Sequence, residues 1–407
     1  MTFRIYTHAE IKSIAINQLR EFAKQIGVRG PTTMTKETLE NAVYERLQEI
    51  EAERSVPSEL RTLKSKACVL DKSLVEAKDK DIYGPFVDKP DAKLYDFAGW
   101  FRPYKDEDGI VCPRLTPHGD DIFVSEDFIC AAQLKFGDKV TGKYAVSVAT
   151  GVRITAEILT VNGKKLNEHR AADINERRRL VPSEPLNLWG DRNNLRALAL
   201  AAPLKKGSRV LLSHDGLTSL TDYSVRLSEC LKECGYETLS LYLDATPENA
   251  EILREKEGAF ACAFDLGDEF VAYTMEMAVE AIQRKVEENA HIAVVVDNID
   301  ACKDSELSRR LLGCACSIDG GSVTVFASVN EDIMDRRSLG LLTSVADAKI
   351  YFENDGGTPM VDFKRSRVKT DRSDYPLLRT LQSMDGQTAQ FIISNCTTRE
   401  EAEKLLK

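Results

Sequence analysis

Apolar residues recur at helical spacing near the start of the chain, at Ile11, Ile14, Ala15, Leu19, Phe22 and Ala23, and the run closes at Gly27. After a turn at Gly30 and Pro31, Thr35 is placed to cap a second helix carrying Leu39, Ala42, Val43 and Leu47, with Glu37 in its first turn. Residues 1–54 read as a helical hairpin. The charged stretch 55–93, with Pro57 and a lysine-rich 64–80, reads as a linker. Between 94 and 168 the pattern changes to short β runs at Leu94–Phe101, Ile122–Val124, Lys139–Ala149 and Val152–Val161. Glycines at 109, 119, 137, 142 and 151 separate these runs, which predicts a small barrel. From 181 to 407 apolar strands alternate with amphipathic helices. Strands are expected at Val210–Ser213, Thr238–Leu243, Ala259–Phe264, Ile292–Val296, Val323–Ser328 and Lys349–Phe352. The helices between them are Asp222–Glu233, Glu248–Lys256, Glu269–Glu288 and Ser305–Cys316. A strand as uniformly apolar as Ile292–Val296 is buried on both faces, as in a doubly wound parallel sheet. The fold class is therefore multidomain, α+β followed by α/β.

Composition narrows the class. The chain has 407 residues, 43% hydrophobic and 29% charged, the profile of a soluble globular protein with enough length for several cores. No window approaches the ~18 uninterrupted apolar residues of a membrane span. Met1-Thr2-Phe3-Arg4 opens no apolar signal core, so a cytoplasmic location without membrane contact is expected. The 10 cysteines show no Cys-x-x-Cys repeat and no suitably spaced histidines, so neither a zinc site nor a disulfide scaffold is expected. The net charge of −10 is uneven. Residues 94–165 carry 9 basic and 10 acidic side chains, whereas 181–407 carry 26 basic and 37 acidic. Such a chain is unsuited to coating nucleic acid non-specifically, although a local groove that stacks unpaired bases stays open to it.

The barrel holds the most informative chemistry. Gly99-Trp100-Phe101-Arg102 sets two aromatics and a cation beside a glycine that would let a ligand approach closely. Asp120-Asp121-Ile122-Phe123-Val124-Ser125 adds an aromatic on a strand flanked by carboxylates, and Arg153 opens another strand. Exposed aromatics would stack bases, Arg102 would meet a phosphate or a base, and Asp121 would accept from a base amino group. The same aromatics would also fill a barrel interior. Neighbours on a strand point to opposite faces, so one of Trp100 and Phe101 is core on either reading.

These motifs resemble the bacterial transcription termination factor Rho family, and the resemblance covers nearly the whole chain. Residues 1–54 are similar to its N-terminal helical subdomain, and 94–168 to its cold-shock-type (OB) RNA-binding barrel. Gly99–Arg102 stands where that family has a glycine–aromatic run ending in arginine, and Asp120–Ser125 matches its Asp-Asp-Ile-Tyr-Val-Ser. Leu134, Gly137-Asp138 and Gly142-Lys143 follow at the family's spacing. Single-stranded RNA binding by Gly99, Trp100, Phe101, Arg102, Asp121, Phe123 and Arg153 is what the resemblance implies. Ile154 stands where the family has a further aromatic.

For 181–407 the resemblance implies a RecA-like ATPase, from which this chain departs. A phosphate loop needs Gly-x-x-x-x-Gly-Lys-Ser/Thr, so that amides and lysine hold phosphate and the hydroxyl holds Mg²⁺. The matching stretch is His214-Asp215-Gly216-Leu217-Thr218-Ser219-Leu220-Thr221, with Leu220 for lysine and only Thr221 in register. Ala245 replaces the glutamate that activates water in the family. Asp297 keeps the place of the Mg²⁺-holding aspartate, with a solvated strand-tip carboxylate as its plain alternative. Arg365 keeps the place of the subunit-bridging arginine. Only about 25 residues join Asp297 to Val323, where the family has a longer segment with a pore loop. Leu342-Thr343-Ser344-Val345-Ala346 replaces the family's second pore loop.

No catalytic residue, resident cofactor or metal is therefore expected, with Thr221, Asp297 and Arg365 as nucleotide-site remnants. The favoured reading is a Rho-like protein that binds single-stranded RNA and acts in termination or its regulation without ATPase activity. An authentic Rho or RNA polymerase would be its protein partner, and any homo-oligomer would be weak. Two other readings stand beside it: an ATP- and Mg²⁺-dependent helicase with a non-standard nucleotide site, and a non-catalytic protein that docks on the transcription machinery.

Overall fold

The computed structural model describes residues 11–12, 14–26, 28, 30–52, 93–104, 108–113, 120–146, 152–166, 168, 173–189, 193–369 and 376–406. The expected linker through residue 92, the first four residues, and positions 119, 149 and 151 lie outside the described residues. The chain divides into two compact units, 1–170 and 171–407.

In the first unit, α1 (Ile16–Gln25) and α2 (Lys36–Ala52) bury Leu19, Phe22, Ala23 and Ile26 against Leu39, Val43 and Leu47. The i, i+3, i+4 spacing of both sets brings them onto facing stripes. Thr38 N–H donates to Thr35 Oγ1 at 3.4 Å at the start of α2.

A second core in this unit is a closed five-stranded barrel. Its strands are β1 (Tyr95–Tyr104), β2 (Asp108–Cys112), β3 (Ile122–Val124), β4 (Lys139–Val146) and β5 (Arg153–Val161), ordered β3-β2-β1-β4-β5. β3 pairs in parallel with β5 to close the ring, all other pairings being antiparallel. A short helix, α3 (Glu126–Ala132), joins β3 to β4, and β6 (Lys164–Lys165) extends β5. β2 and α3 were not expected from periodicity, because Asp108-Gly109 reads as a turn and α3 is under two full turns. Phe97, Phe101, Val111, Ile122, Val140 and Ile158 fill the interior. The glycines serve this closure. A Cβ on Gly99 would lie 2.6 Å from the Cys112 carbonyl oxygen, and one on Gly142 would lie 2.1 Å from that of Glu157. The space beside Gly99 thus holds its sheet neighbour β2 rather than an open approach for ligand.

The second unit is built on a sheet ordered β10-β9-β11-β13-β8-β14-β15. β8 (Arg209–His214), β9 (Glu237–Ala245), β10 (Ala259–Ala263), β11 (His291–Asp297), β13 (Gly321–Asn330) and β14 (Ala348–Asp355) run parallel. β15 (Thr358–Val368) is antiparallel to β14. Alternate residues of the central strands serve two cores. Val210, Leu212, Ala293, Val295, Phe326 and Ile350 pack on one face with α4 (Asn193–Ala201), α5 (Thr221–Glu233) and the C-terminal helices α10 (Pro376–Ser383), α11 (Gly386–Asn395) and α12 (Arg399–Leu405). On the other face lie α7 (Asp268–Glu287), α8 (Ser305–Gly313) and α9 (Arg336–Val345), while α6 (Pro247–Arg254) covers β9 and β10.

Two boundaries depart from expectation. The segment from Ile174 to Leu180 belongs to the sheet unit: Ile174 N–H donates to Glu287 Oε1 at 2.9 Å, and β7 (Arg179–Leu180) pairs with β12 (Cys316–Ile318). Cys316, expected to end a helix, instead begins β12, which turns back through Gly320 (φ +81°) into β13. No helix among the described residues is long and apolar enough to cross a membrane.

Phe326 is fully buried on a central strand with partners on both sides. Phe326→Ala should lower the stability of the sheet unit by about 3–5 kcal/mol, read as an earlier urea midpoint. An unchanged midpoint would show that the site collapses without loss.

Candidate functional site

The C-terminal ends of β8, β11 and β13 bring together the most constrained polar cluster of the sheet unit. At its centre Asp297, the last residue of β11, accepts three hydroxyl hydrogen bonds. Thr221 donates to Oδ2 at 2.7 Å, while Ser224 and Ser328 donate to Oδ1 at 3.1 and 2.9 Å. Thr221 and Ser224 share one turn of α5, and Ser328 lies on β13, so the carboxylate ties two strands to a helix. Asn298 follows in the left-handed region (φ 59°), which asparagine tolerates, and its N–H donates to Ser328 Oγ at 2.7 Å. Asp297 is 2% exposed, which corrects the expectation of a solvated carboxylate. Burial pushes its pKa up, against the three hydroxyls and the nearby His214. His214 is buried too, its Nδ1 2.9 Å from the Asp215 carbonyl oxygen and its Nε2 without a hydrogen-bond partner among the described residues.

The loop from Asp215 to Leu220 is closed by the chain's own carboxylates. Asp215 Oδ1 accepts from Leu217 N–H at 3.1 Å and from the Thr218 hydroxyl at 2.9 Å. Gly216 N–H donates to Asp332 Oδ2 at 2.9 Å, and Asp332 is itself held by Asn330. Asn354 Nδ2 donates to the Leu217 carbonyl oxygen at 2.8 Å. Leu220 is buried in the hydrophobic core that underlies α5. These residues do not fit a Mg²⁺–nucleotide group. Two amides of the loop, those of Gly216 and Leu217, already donate to carboxylates, the lysine position is apolar and interior, and each Asp297 oxygen accepts from a hydroxyl. Ala245 is likewise packed into the apolar cluster at the end of β9. Arg365 is occupied within its own chain, lying over the Tyr351 ring with Glu331 at 4.0 Å. Leu342–Val345, expected as a loop replacement, completes the helix α9.

In the barrel the register aligns several expected residues. Arg102 faces Ile110, Ile110 faces Phe123, and Phe123 faces Ile154, one row across four strands. Trp100, two residues from Arg102, shares that outer face, whereas Phe101 points into the core. The row is little exposed: Trp100 6%, Phe123 9%, and Arg102 and Ile154 comparable. Arg102 lies over the Phe136 ring, and Lys139 lies over Trp100. Asp121 precedes Phe123 and is partly buried. Arg153 is separate from this row, pairing with Asp120 at 2.6 Å at one end of the barrel.

Several residues here were not singled out from the sequence. Ser224 and Ser328 lack any spacing signal, because the sheet brings them to Asp297 from 73 and 31 positions away. Asp332 follows a buried strand by two residues and resembles ordinary turn chemistry. Tyr95 and Tyr144 are paired across β1 and β4, where each alone reads as a routine strand aromatic.

No family model matches the chain. Among curated proteins it is similar to transcription termination factor Rho of Thermotoga maritima, 21% identical over 410 aligned positions, 92% of this chain and 84% of that one. It is also similar to Rho of Haemophilus influenzae, 24% identical, covering 70% of this chain and 72% of that one. A third likeness is to Rho of Mycobacterium leprae, 24% identical, covering 64% and 47%. Among solved structures, an ATPase from the type III secretion system of pathogenic bacteria matches 56% of this chain and 85% of its own at 12% identity, TM-score 0.43. The ATP synthase subunit NeqB of Nanoarcheaum equitans covers 55% of this chain and 68% of its own, again at 12% identity and TM-score 0.43.

The raised pKa of Asp297 sets a pH dependence. The folded chain holds that proton to higher pH than the unfolded chain, so stability from this group is complete below about pH 4 and declines as pH rises through the raised value. Asp297→Asn removes the titration. The variant should therefore gain on wild type through that rise, by about 1.4 kcal/mol per unit of upward shift, and then level off. Urea unfolding of both proteins between roughly pH 4 and 8 tests this. A difference that stays flat with pH would mean the carboxylate titrates normally.

Proposed function

We propose that the chain is an RNA-binding member of the family of transcription termination factor Rho, similar to it at 21–24% identity, that has lost the phosphate clamp of its nucleotide site. What carries the reading is the loop after β8: Gly216 and Leu217 spend their amides on Asp332 and Asp215. A polyphosphate would have to displace two carboxylates from those amides, with no lysine to neutralise its charge. With Ala245 in place of a water-activating glutamate, hydrolysis would lack its general base as well.

In this reading the sheet unit is a RecA-like scaffold and the barrel is of the OB or cold-shock type. The parallel β3–β5 closure and the helix between β3 and β4 support the second assignment. Single-stranded RNA would meet the barrel through Trp100, Arg102, Phe123 and Asp121, with Phe101 and Gly99 shaping the strand beneath and Arg153 contributing a cation. The protein partner would be an authentic Rho or RNA polymerase, met through the acidic sheet unit. Beside the closed loop, Leu217 and Ile333 are exposed at 82% and 61%. Without nucleotide to bridge subunits, self-association would rest on protein surfaces alone and be weak.

The test measures RNA binding and phosphate release on one sample. RNA should bind, and ATP turnover should stay at background with or without RNA. Phosphate release that depends on RNA and disappears in Asp297→Asn would sink the reading. Arg102→Ala should weaken RNA binding and lower the slope of log affinity against log salt by roughly one. An unchanged slope would remove Arg102 from the phosphate path.

A further inference from the structure

We propose that one mouth of the barrel, ringed by Lys93, Tyr95, Tyr144 and Arg153, is a base-stacking site for an unpaired RNA nucleotide; it rests on the RNA-binding reading above. The first residues of β1, β3 and β5 and the last of β4 meet at this end, as their pairings require. Tyr95 lies directly opposite Tyr144, and their rings stack with centroids 5.4 Å apart and planes 24° from parallel. Lys93 covers Tyr95 at 5.0 Å, and the Arg153 guanidinium covers Tyr144 at 5.5 Å. The result is a cation–aromatic–aromatic–cation ladder.

Three features separate this ladder from ordinary core packing. Tyr95 is 38% exposed, and Leu94 and Val146 beside it are exposed as well, so the described residues at this end of the barrel present an apolar surface. The outer row offers less ring face: Trp100 and Phe123 are exposed only in part, and Ile154 has no ring. Thr155, opposite Tyr144 in the β4–β5 register, is buried, and its hydroxyl finds no hydrogen-bond partner among the described residues. A base entering the mouth would stack on the face of Tyr95 that Lys93 covers, on the side away from Tyr144. Lys93 is exposed on a flexible stem, so it would swing from the ring to the incoming phosphate. Arg153 is fixed by Asp120, at 2.6 Å to its carboxylate and 3.1 Å to its carbonyl oxygen, and would hold Tyr144 in place. Mouths of small barrels are common ligand sites, and stacking suits a barrel with too few net cations to bind by charge.

The test is fluorescence anisotropy of the full chain with a fluorescein-labelled oligocytidylate of roughly 12 nucleotides. Tyr95→Ala and Tyr144→Leu should each weaken binding by about fivefold or more, while Tyr95→Phe keeps wild-type affinity because the ring face does the work. Tyr144 also packs on the barrel core, so unfolding midpoints accompany the titrations, and Tyr95, at the exposed strand start, is the decisive position. If wild type binds and Tyr95→Ala binds equally well, the mouth is not the site, although the RNA reading stands. Loss in Tyr95→Phe as large as in Tyr95→Ala would replace stacking with a hydroxyl contact and also overturn the proposal. If wild type itself fails to bind at low salt, the RNA reading falls, and this site with it.

Discussion

A charge buried at the edge of a parallel sheet needs partners that arrive from separate elements, and Asp297 sets that requirement for the sheet unit. Its carboxylate is satisfied only when α5 starts at Thr221 and β13 reaches Ser328. The hydrogen bonds offset desolvation without abolishing it, which leaves the carboxylate with a raised pKa. Removing any one hydroxyl would leave a buried charge less compensated. That makes the cluster a fixed point from which the loops at this end of the sheet are positioned.

The loop beside it solves a second accounting problem with the same chemistry. Amides at the approach to a helix N-terminus need acceptors, and a bound anion is one way to supply them. Here Asp215 and Asp332 supply them from within the chain. The loop therefore needs no ligand to hold its shape, and Leu220 is free to join the core beneath α5 instead of reaching outward. In the proposed reading, loss of the lysine and closure of the loop are one event. Once no phosphate is held, carboxylates that would repel it become stabilising.

Legibility in the sequence followed the range of each interaction. The strands from Val210 to Phe352 were readable because uniform apolar runs flanked by amphipathic helices are local patterns. The edges were not. β15 and the three C-terminal helices carry mixed patterns whose burial depends on docking against α4 and β14. Thr221 and Asp297 were marked by their motif positions, but the burial of Asp297 was invisible, since it depends on Ser224 and Ser328 far away in the chain. Gly99 was assigned to a ligand because a glycine beside aromatics suggests open space. The neighbouring strand fills that space, a fact that only the β1–β2 register reveals.

Charge and exposure together constrain how this barrel would hold a nucleic acid. With 9 basic and 10 acidic side chains in 94–165, few phosphates can be neutralised, so binding energy must come mainly from ring faces. Ring faces count only where a base can reach them. On the outer row Trp100 and Phe123 lie almost wholly covered, and the position in line with them is Ile154. The stacked tyrosines at the mouth belong to neighbouring strands on the interior face, with a cation over each ring. Phe123 and Ile154 occupy one register pair, whereas Thr155, the next residue, turns inward toward Tyr144. A single step along β5 thus separates the covered face from the open one. The outer face has Ile154 where a third aromatic would stand, and the next residue gives the interior face a polar group beside the tyrosine pair.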